Sequence, residues 1–177
     1  MRVALVRPSR RHTSEYLRAL RGSRRLYRNL MTVKASEQDF LEFLKHSRGP
    51  RSSNFFVVLK LSHELVGAIN IENISRGYFQ SATLGYYAFL PHAGKGLMRE
   101  GLVQVIDHAF AKLKLHRLEA NIQPSNRRSI DLVAGLGFQL EGYSPRFLKI
   151  CGRWRDHERW ALLADYWKAG RKRRNPQ

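Results

Sequence analysis

Three consecutive strand-like segments constrain the fold of this chain more than any other feature of its sequence. They are residues 55–60, 65–74 and 80–90. The first is an apolar run, and parts of the other two alternate with the period of two that is typical of strands with one buried face. The connections at His63-Glu64 and Arg76-Gly77 are short enough for hairpins. The sequence therefore predicts an antiparallel meander of three strands.

Helical and strand patterns on both sides of the meander predict a mixed α/β fold. Before it come an edge strand at 2–7, a helix at about 13–21, and a helix that opens at a capping box of Ser36 and Asp39 and runs through Lys45. After it come a helical pattern at 97–113, a strand at 117–123, a helix at 126–136, and strands at 138–141, 146–151 and 155–163. This order predicts a mixed sheet of about seven strands flanked by about four helices, in a single domain over residues 1–167 with a basic C-terminal tail at 168–177.

The net charge of the chain is +18, and most of the excess lies at its two ends. Residues 1–28 contain nine Arg and one acidic residue, and residues 168–177 contain five basic residues and no acidic one. A field of this sign repels small polycationic substrates and attracts nucleic acid, a ribonucleoprotein or a phosphorylated cofactor. The middle of the chain has the composition of an ordinary globular domain.

Cysteine and histidine usage gives no sign of a disulfide or a metal site. Cys151 is the only cysteine, and His92, His108 and His116 show no metal-ligand spacing. No apolar run approaches the roughly 18 residues of a membrane span, and the apolar stretch near the N-terminus is too short for a signal peptide. We therefore expect a monomeric cytoplasmic protein without a metal and without a membrane partner.

A glycine-rich turn between the meander and the 97–113 helix predicts an anion-binding site. The turn reads Gly94-Lys95-Gly96. Glycines permit close approach of the backbone to a ligand, and the N–H groups at a helix N-terminus attract anions. The turn is neither a P-loop nor a dinucleotide-binding fingerprint, because it lacks the Lys-Ser/Thr pair and the third glycine of those motifs.

Several motifs together resemble the Gcn5-related N-acetyltransferase (GNAT) superfamily, and among its members the ribosomal-protein-alanine N-acetyltransferases of the RimJ/RimL type, RimJ more than RimL. The resemblance covers about residues 55–163. The motifs that carry it are the turn Gly94-Lys95-Gly96-Leu97-Met98, the strand His116-Arg117-Leu118-Glu119-Ala120, Asn126 with Ser129, Gly137-Phe138 with Glu141-Gly142, Gly67-Ala68-Ile69-Asn70 with Ser75-Arg76-Gly77, Phe147-Leu148-Lys149-Ile150, and Gly152-Arg153-Trp154-Arg155-Asp156-His157.

The resemblance implies acetyl-CoA as the donor, a protein N-terminal amine as the acceptor and a splayed sheet that admits the pantetheine arm. It implies that the arm pairs with the strand around Tyr87, Phe89 and Leu90. Asn126 would contact the cofactor, and Ser129 would lie near the thioester sulfur. The cofactor pyrophosphate would be held by backbone amides of Ala93, Gly94, Lys95, Gly96, Leu97 and Met98.

Two departures from the family pattern affect the expected chemistry. Pro91 stands where the superfamily usually has Gln or Arg before its glycine turn, and Val133 stands where many members have the tyrosine that protonates the leaving thiolate. Ser129 is then the expected acid, as in the RimL type.

The general base is harder to assign from the sequence. Thr83 occupies a position where related enzymes often have Glu, which leaves Glu119 as the candidate, with Glu72 as another on a neighbouring strand. A strong base is not required, because an α-amine has a pKa of about 7.7–8.0 and is partly neutral near neutral pH. Asp156 and His157 are adjacent in a strand and point to opposite faces, which favours structural or acceptor-positioning roles over an acid–base pair.

Three functions fit these observations. The first is acetylation of a protein N-terminus by direct transfer in a ternary complex, with a ribosomal protein as the expected acceptor and the basic termini docked on rRNA or a ribosomal subunit. The second is acetylation of aminoacyl-tRNA, although enzymes of that type usually rely on the tyrosine that is replaced by Val133 here. The third is a non-catalytic RNA- or ribosome-binding protein on the same fold.

Overall fold

A seven-stranded sheet in the order β1-β2-β3-β4-β5-β7-β6 forms the frame of the protein. The computed structural model describes residues 1–174, with side chains described for residues 1–170. The strands are β1 (Val3–Val6), β2 (Ser53–Leu59), β3 (Leu65–Ser75), β4 (Ser81–Ala88), β5 (Arg117–Ile122), β6 (Gln139–Ile150) and β7 (Arg153–Leu163).

The predicted meander is confirmed, because β2, β3 and β4 pair antiparallel in sequence order. Strand β4 then pairs with β5 in parallel, but only over the three positions from Ser81↔Arg117 to Thr83↔Glu119. Beyond the pair of Thr83 and Glu119, the described residues of the two strands have no pairing. The sheet is therefore splayed in its middle, as the resemblance implied.

Five helices within residues 1–174 cover the two faces of the sheet: α1 (Thr13–Gly22), α2 (Glu37–Ser47), α3 (Leu97–Asp107), α4 (Arg127–Leu136) and α5 (Ala164–Arg174). The predicted capping box at the start of α2 is confirmed, since Ser36 Oγ accepts from Asp39 N at 3.1 Å and Asp39 Oδ2 accepts from Ser36 N at 3.0 Å. Helix α5 continues into the segment 168–177, and residues 175–177 lie outside the described part of the chain.

Alternation along the strands sends buried side chains into two separate cores. One core lies between the sheet and α3 and α4, and it includes Leu84, Leu102 and Leu118. The other lies between the sheet and α1 and α2, and it includes Phe40 and Phe56. We call the two sides the α3/α4 face and the α1/α2 face.

Two predicted elements differ from the observed ones. The strands expected at 138–141 and 146–151 are one strand, β6, because the pairing with β7 continues across an irregular register between Ser144 and Leu148. The helix expected over 97–113 changes to a π-helical segment at His108–Lys112 after α3 ends. Among residues 1–174, no helix is long and apolar enough to cross a membrane.

Candidate active site

The separation of β4 from β5 opens a cleft of about 160 Å³ in the middle of the sheet. The cleft begins directly after the last paired residues, Thr83 and Glu119. Its walls come from β4, β5, the start of α4, β7 and the segment after α1. The lining residues are Leu30, Leu84, Gly85, Tyr86, Ala120, Asn121, Ile122, Gln123, Asn126, Ser129 and His157.

Ser129, the expected acid, lies in the wall of this cleft and shares a hydrogen bond with Tyr86. The two hydroxyl oxygens are 2.5 Å apart, and Tyr86 Oη also lies 3.2 Å from the Ser129 carbonyl oxygen. Burial of the phenol raises the pKa of Tyr86 to about 12, with the hydrogen bond to Ser129 acting in the opposite direction. Tyr86 therefore keeps its proton at neutral pH and offers it to Ser129.

Asn126 caps α4 and holds Ser129 at the cleft. Its side-chain oxygen accepts from Ser129 N at 3.3 Å, so the capping interaction fixes the first turn of the helix. Asn126 also lines the cleft. The sequence pair of Asn126 and Ser129 thus forms one local unit beside the gap between the strands.

The glycine turn lies between the end of β4 and the start of α3. Gly94 and Gly96 have φ of +80° and +76°, a left-handed conformation that favours glycine. Gly96 occupies the N-cap position and supplies no side-chain capping hydrogen bond, so the first N–H groups of α3 are available to an anion. Arg2 lies beside the turn, where its Nη2 donates to Lys95 O at 3.0 Å and its Nε pairs with Glu100 of α3.

The side chains of several other expected cofactor-binding residues point into the protein. Tyr87 Oη shares a hydrogen bond with Tyr16 Oη at 2.8 Å on the α1/α2 face, and Phe89 is fully buried on that face. Leu97 and Met98 belong to the core beneath α3. These four residues present only their backbone to a ligand at this edge, whereas Leu90, Lys95 and both turn glycines are exposed and Ala93 is half-buried.

Glu119, the candidate base, lies at the point where the strands separate and is bound by an ion pair. Its Oε1 accepts from Arg117 Nε at 2.7 Å. The same guanidinium also binds Glu141, which lowers the pKa of Glu141 and raises that of Arg117. Glu72 pairs across the sheet with Thr83, and its Oε1 lies 3.9 Å from His46 Nε2.

Asp156 and His157 point to opposite faces, as the strand pattern predicts. Asp156 accepts hydrogen bonds from Tyr143 Oη and from Arg146 N, outside the cleft. His157 is 3% exposed and lines the cleft. The two side chains therefore do not form an acid–base pair.

The segment after α1 closes one side of the cleft and carries three arginines. Tyr27 Oη donates to Ala88 O at 2.6 Å, and Gln123 Nε2 donates to Asn29 O at 2.9 Å, so β4 and the residue directly after β5 hold this segment. The exposed side chains of Arg24, Arg25 and Arg28 line a concave surface on it, which we call the arginine surface. Among the described side chains, none forms a hydrogen bond or an ion pair with these three guanidinium groups.

Two site residues could not be predicted from the sequence. Tyr86 is 43 positions from Ser129, and alternation alone does not show which of Tyr86 and Tyr87 faces α4. Arg2 belongs in sequence to a terminal charge cluster, yet its Nε donates to Glu100 Oε1 at 2.7 Å, 98 positions away. Among the described residues, no group of three or more His, Cys, Asp and Glu side chains could hold a metal ion.

Comparison with known proteins identifies the family. Residues 2–139 match the profile of the "Acetyltransferase (GNAT) domain". Over 108 residues the chain is 44% identical to the [ribosomal protein uS5]-alanine N-acetyltransferase of Escherichia coli (strain K12). That alignment covers 61% of this chain and 56% of the enzyme, so the similar region spans little more than half of the relative's length.

Two solved structures resemble this one over nearly their whole length. Ribosomal-protein-S5-alanine acetyltransferase from Vibrio fischeri has a TM-score of 0.81 and 26% identity, covering 94% of this chain and 96% of that one. RimJ of Mycobacterium smegmatis in complex with CoA-disulfide has a TM-score of 0.83 and 26% identity, covering 95% and 88%. With the splayed sheet and the glycine turn, these matches confirm the resemblance seen in the motifs: this chain belongs to the acetyltransferase (GNAT) domain family.

Proposed function

We propose that this protein transfers an acetyl group from acetyl-CoA to the N-terminal α-amine of a protein, and that the acceptor is a ribosomal protein. The observation that carries the proposal is the cleft between β4 and β5, with a hydroxyl pair in its wall and an anion-binding turn at the end of β4. The names of its relatives support an N-terminal alanine as the acceptor. The proposed transfer is direct, in a ternary complex in which both substrates would meet in this one cleft.

The residues present fit acetyl-CoA. The turn from Ala93 to Met98 would hold the pyrophosphate through backbone N–H groups, with the Arg2 side chain beside it. Backbone groups from Tyr87, near the end of β4, to Leu90, just after it, would pair with the pantetheine arm, and Asn126 would contact it from α4. Bound there, acetyl-CoA supplies an acetyl group activated as a thioester.

Ser129 serves as the acid in this proposal. Either hydroxyl of this pair can be the donor; in this proposal Tyr86 donates to Ser129 Oγ, which leaves the serine O–H to donate a hydrogen bond to the sulfur as negative charge develops on it. Ser129 and Tyr86 together would protonate the leaving thiolate in place of the tyrosine that many family members have at the position of Val133. The Glu119 carboxylate is already engaged, since its Oε1 accepts from Arg117 Nε.

Intact-mass spectrometry tests the proposal directly. Ribosomal proteins incubated with this protein and acetyl-CoA should include one that gains the mass of a single acetyl group, and peptide sequencing should place that group on the α-amine. Acetylation of charged tRNA instead of any protein, or the absence of all transfer above the background rate, would contradict the proposal.

The arginine surface and the basic segment 168–177 are proposed to dock the protein on rRNA phosphates near its acceptor. Three guanidinium groups on one concave surface suit phosphate oxygens, which position a partner without reading sequence. The triple variant Arg24→Ala/Arg25→Ala/Arg28→Ala should weaken ribosome binding and lower its salt dependence by roughly 0.7–0.9 in the log–log slope for each phosphate that is no longer neutralised. A slope unchanged both in that variant and after deletion of 168–177 would refute the docking.

A further inference from the structure

His157 is the one imidazole among the residues that line the described cleft, and no carboxylate lines it. Its residue is 3% exposed, so it is removed from bulk water while it borders the cavity. In the sheet His157 pairs with Ser144 of β6, and the Phe147 ring of β6 packs edge-on against it with ring centroids 5.8 Å apart. The side chain therefore has a fixed position at the cleft.

The hydrogen bond of the ring determines which nitrogen is free. Nδ1 of His157 lies 3.0 Å from the backbone oxygen of Arg155. A carbonyl oxygen only accepts, so Nδ1 carries the proton, and in the neutral ring Nε2 has the lone pair. Among the described residues, no hydrogen bond to Nε2 is found.

The register of the sheet places His157 on the face opposite the hydroxyl pair. Asn121 pairs with Arg159, and both lie on the α1/α2 face because the intervening residues of β5 fill the α3/α4 core. His157 is two residues before Arg159 in the same strand and therefore shares that face. Tyr86 and Ser129 approach the cleft from the side of α4. The cleft thus has the hydroxyl pair on one side and the His157 imidazole on the other.

We infer that His157 is a catalytic residue that accepts the proton of the attacking amine through Nε2. The inference rests on the proposed function and adds the base that the carboxylates of the sheet do not supply. The amine nitrogen forms a C–N bond to the acetyl carbon, the C–S bond breaks, and the electron pair leaves on the sulfur. The amine proton moves to Nε2, and the thiolate is stabilised by the Ser129 hydroxyl and takes its proton from water through it. His157 then returns its proton to solvent.

The variant His157→Asn separates this role from a structural one. The amide nitrogen of Asn takes the place of Nδ1 and keeps the hydrogen bond to Arg155 O, but the variant has no basic nitrogen. General acid–base catalysis is worth about 10²–10⁴-fold, so kcat for an alanine-starting ribosomal-protein peptide should fall at least about 100-fold. The Kd for acetyl-CoA and the melting temperature should stay close to those of the wild type.

A matched control and a second variant complete the experiment. Asp156→Asn changes the neighbouring residue on the opposite face and should leave kcat within about twofold. If His157→Asn does not fold, His157→Gln replaces it, and added imidazole should restore turnover to a His157→Gly variant.

Wild-type activity distinguishes the two possible failures. A wild type that acetylates no N-terminal amine refutes the proposed function and the inference with it. An active wild type together with a folded His157→Asn variant of equal kcat refutes the inference alone.

Discussion

The hydrogen bond between Tyr86 and Ser129 predicts that two hydroxyl groups from different elements act as one unit. Ser129→Ala removes the proposed acid and should lower kcat about 100-fold, within the range of general acid catalysis. Tyr86→Phe removes only the donor behind it. One hydrogen bond is worth about 0.5–1.5 kcal/mol net, which corresponds to a decrease in kcat of about 2- to 13-fold.

The double variant supplies the sharpest measurement. If Tyr86 acts through Ser129, Tyr86→Phe/Ser129→Ala should have the kcat of Ser129→Ala alone, because no hydroxyl remains for the phenol to orient. The pKa of Tyr86, about 12, keeps the phenol protonated through neutral and mildly alkaline assays, so Tyr86→Phe should leave the shape of the pH profile unchanged.

The control for this pair is Tyr143→Phe, a hydroxyl outside the cleft that binds Asp156. It should leave kcat unchanged, and acetyl-CoA affinity measured by calorimetry should be similar in all variants. Decreases that multiply in the double variant would refute action through Ser129, and full activity of Ser129→Ala would refute its role as the acid.

Two further predictions concern stability. Gly101→Ala should lower the unfolding free energy by about 1–3 kcal/mol in urea titrations, because the added Cβ would lie 2.7 Å from Val57 Cγ2. Gly135→Ala in α4 should instead raise the unfolding free energy by up to about 1 kcal/mol, because a Cβ added there has no neighbouring atom within 4 Å. Glu141→Gln should destabilise the protein at pH 7 by about 0.5 kcal/mol, which is typical of a surface ion pair. The difference should vanish in acid, because Arg117 lowers the folded-state pKa of Glu141. The stabilisation is therefore present above the unfolded-state pKa of 4.5 and is lost as the pH falls through the lower folded-state pKa. A Gly101→Ala protein as stable as the wild type, or a Glu141→Gln difference that persists at pH 2, would contradict these expectations.

Local patterns were sufficient to predict most of the fold. The meander follows from period-two alternation with hairpin-length links, and the start of α2 follows from Ser36 and Asp39, which bind each other three residues apart. Each of these signals depends on neighbours in sequence. The single strand β6 was not predicted, because its irregular register between Ser144 and Leu148 interrupts the alternation without ending the pairing.

The chemistry of the cleft depends instead on contacts between distant residues. Alternation shows that Tyr86 and Tyr87 face opposite sides of β4, but packing in the two cores determines which tyrosine faces which side. Tyr87 faces the aromatic cluster around Tyr16, and Tyr86 is left facing Ser129. A one-residue change of register would exchange these two environments. No local signal in either strand or helix specifies this.

The arginines of the basic N-terminal segment have different contacts in the structure, and the sequence alone does not show these differences. Arg2 binds Glu100 and the glycine turn, and Arg7 packs on the Phe55 ring with its guanidinium carbon 4.0 Å from the ring centroid. Arg21 donates to the backbone oxygen of Ala35. Arg2 is thus paired with a carboxylate, whereas Arg7 and Arg21 are held against the fold by an aromatic ring and a carbonyl oxygen. The other six arginines of residues 1–28 are exposed, and three of them form the arginine surface on the segment that closes the cleft. A polyanion bound to the arginine surface would lie beside the cleft, which is the arrangement that the proposed docking on rRNA requires.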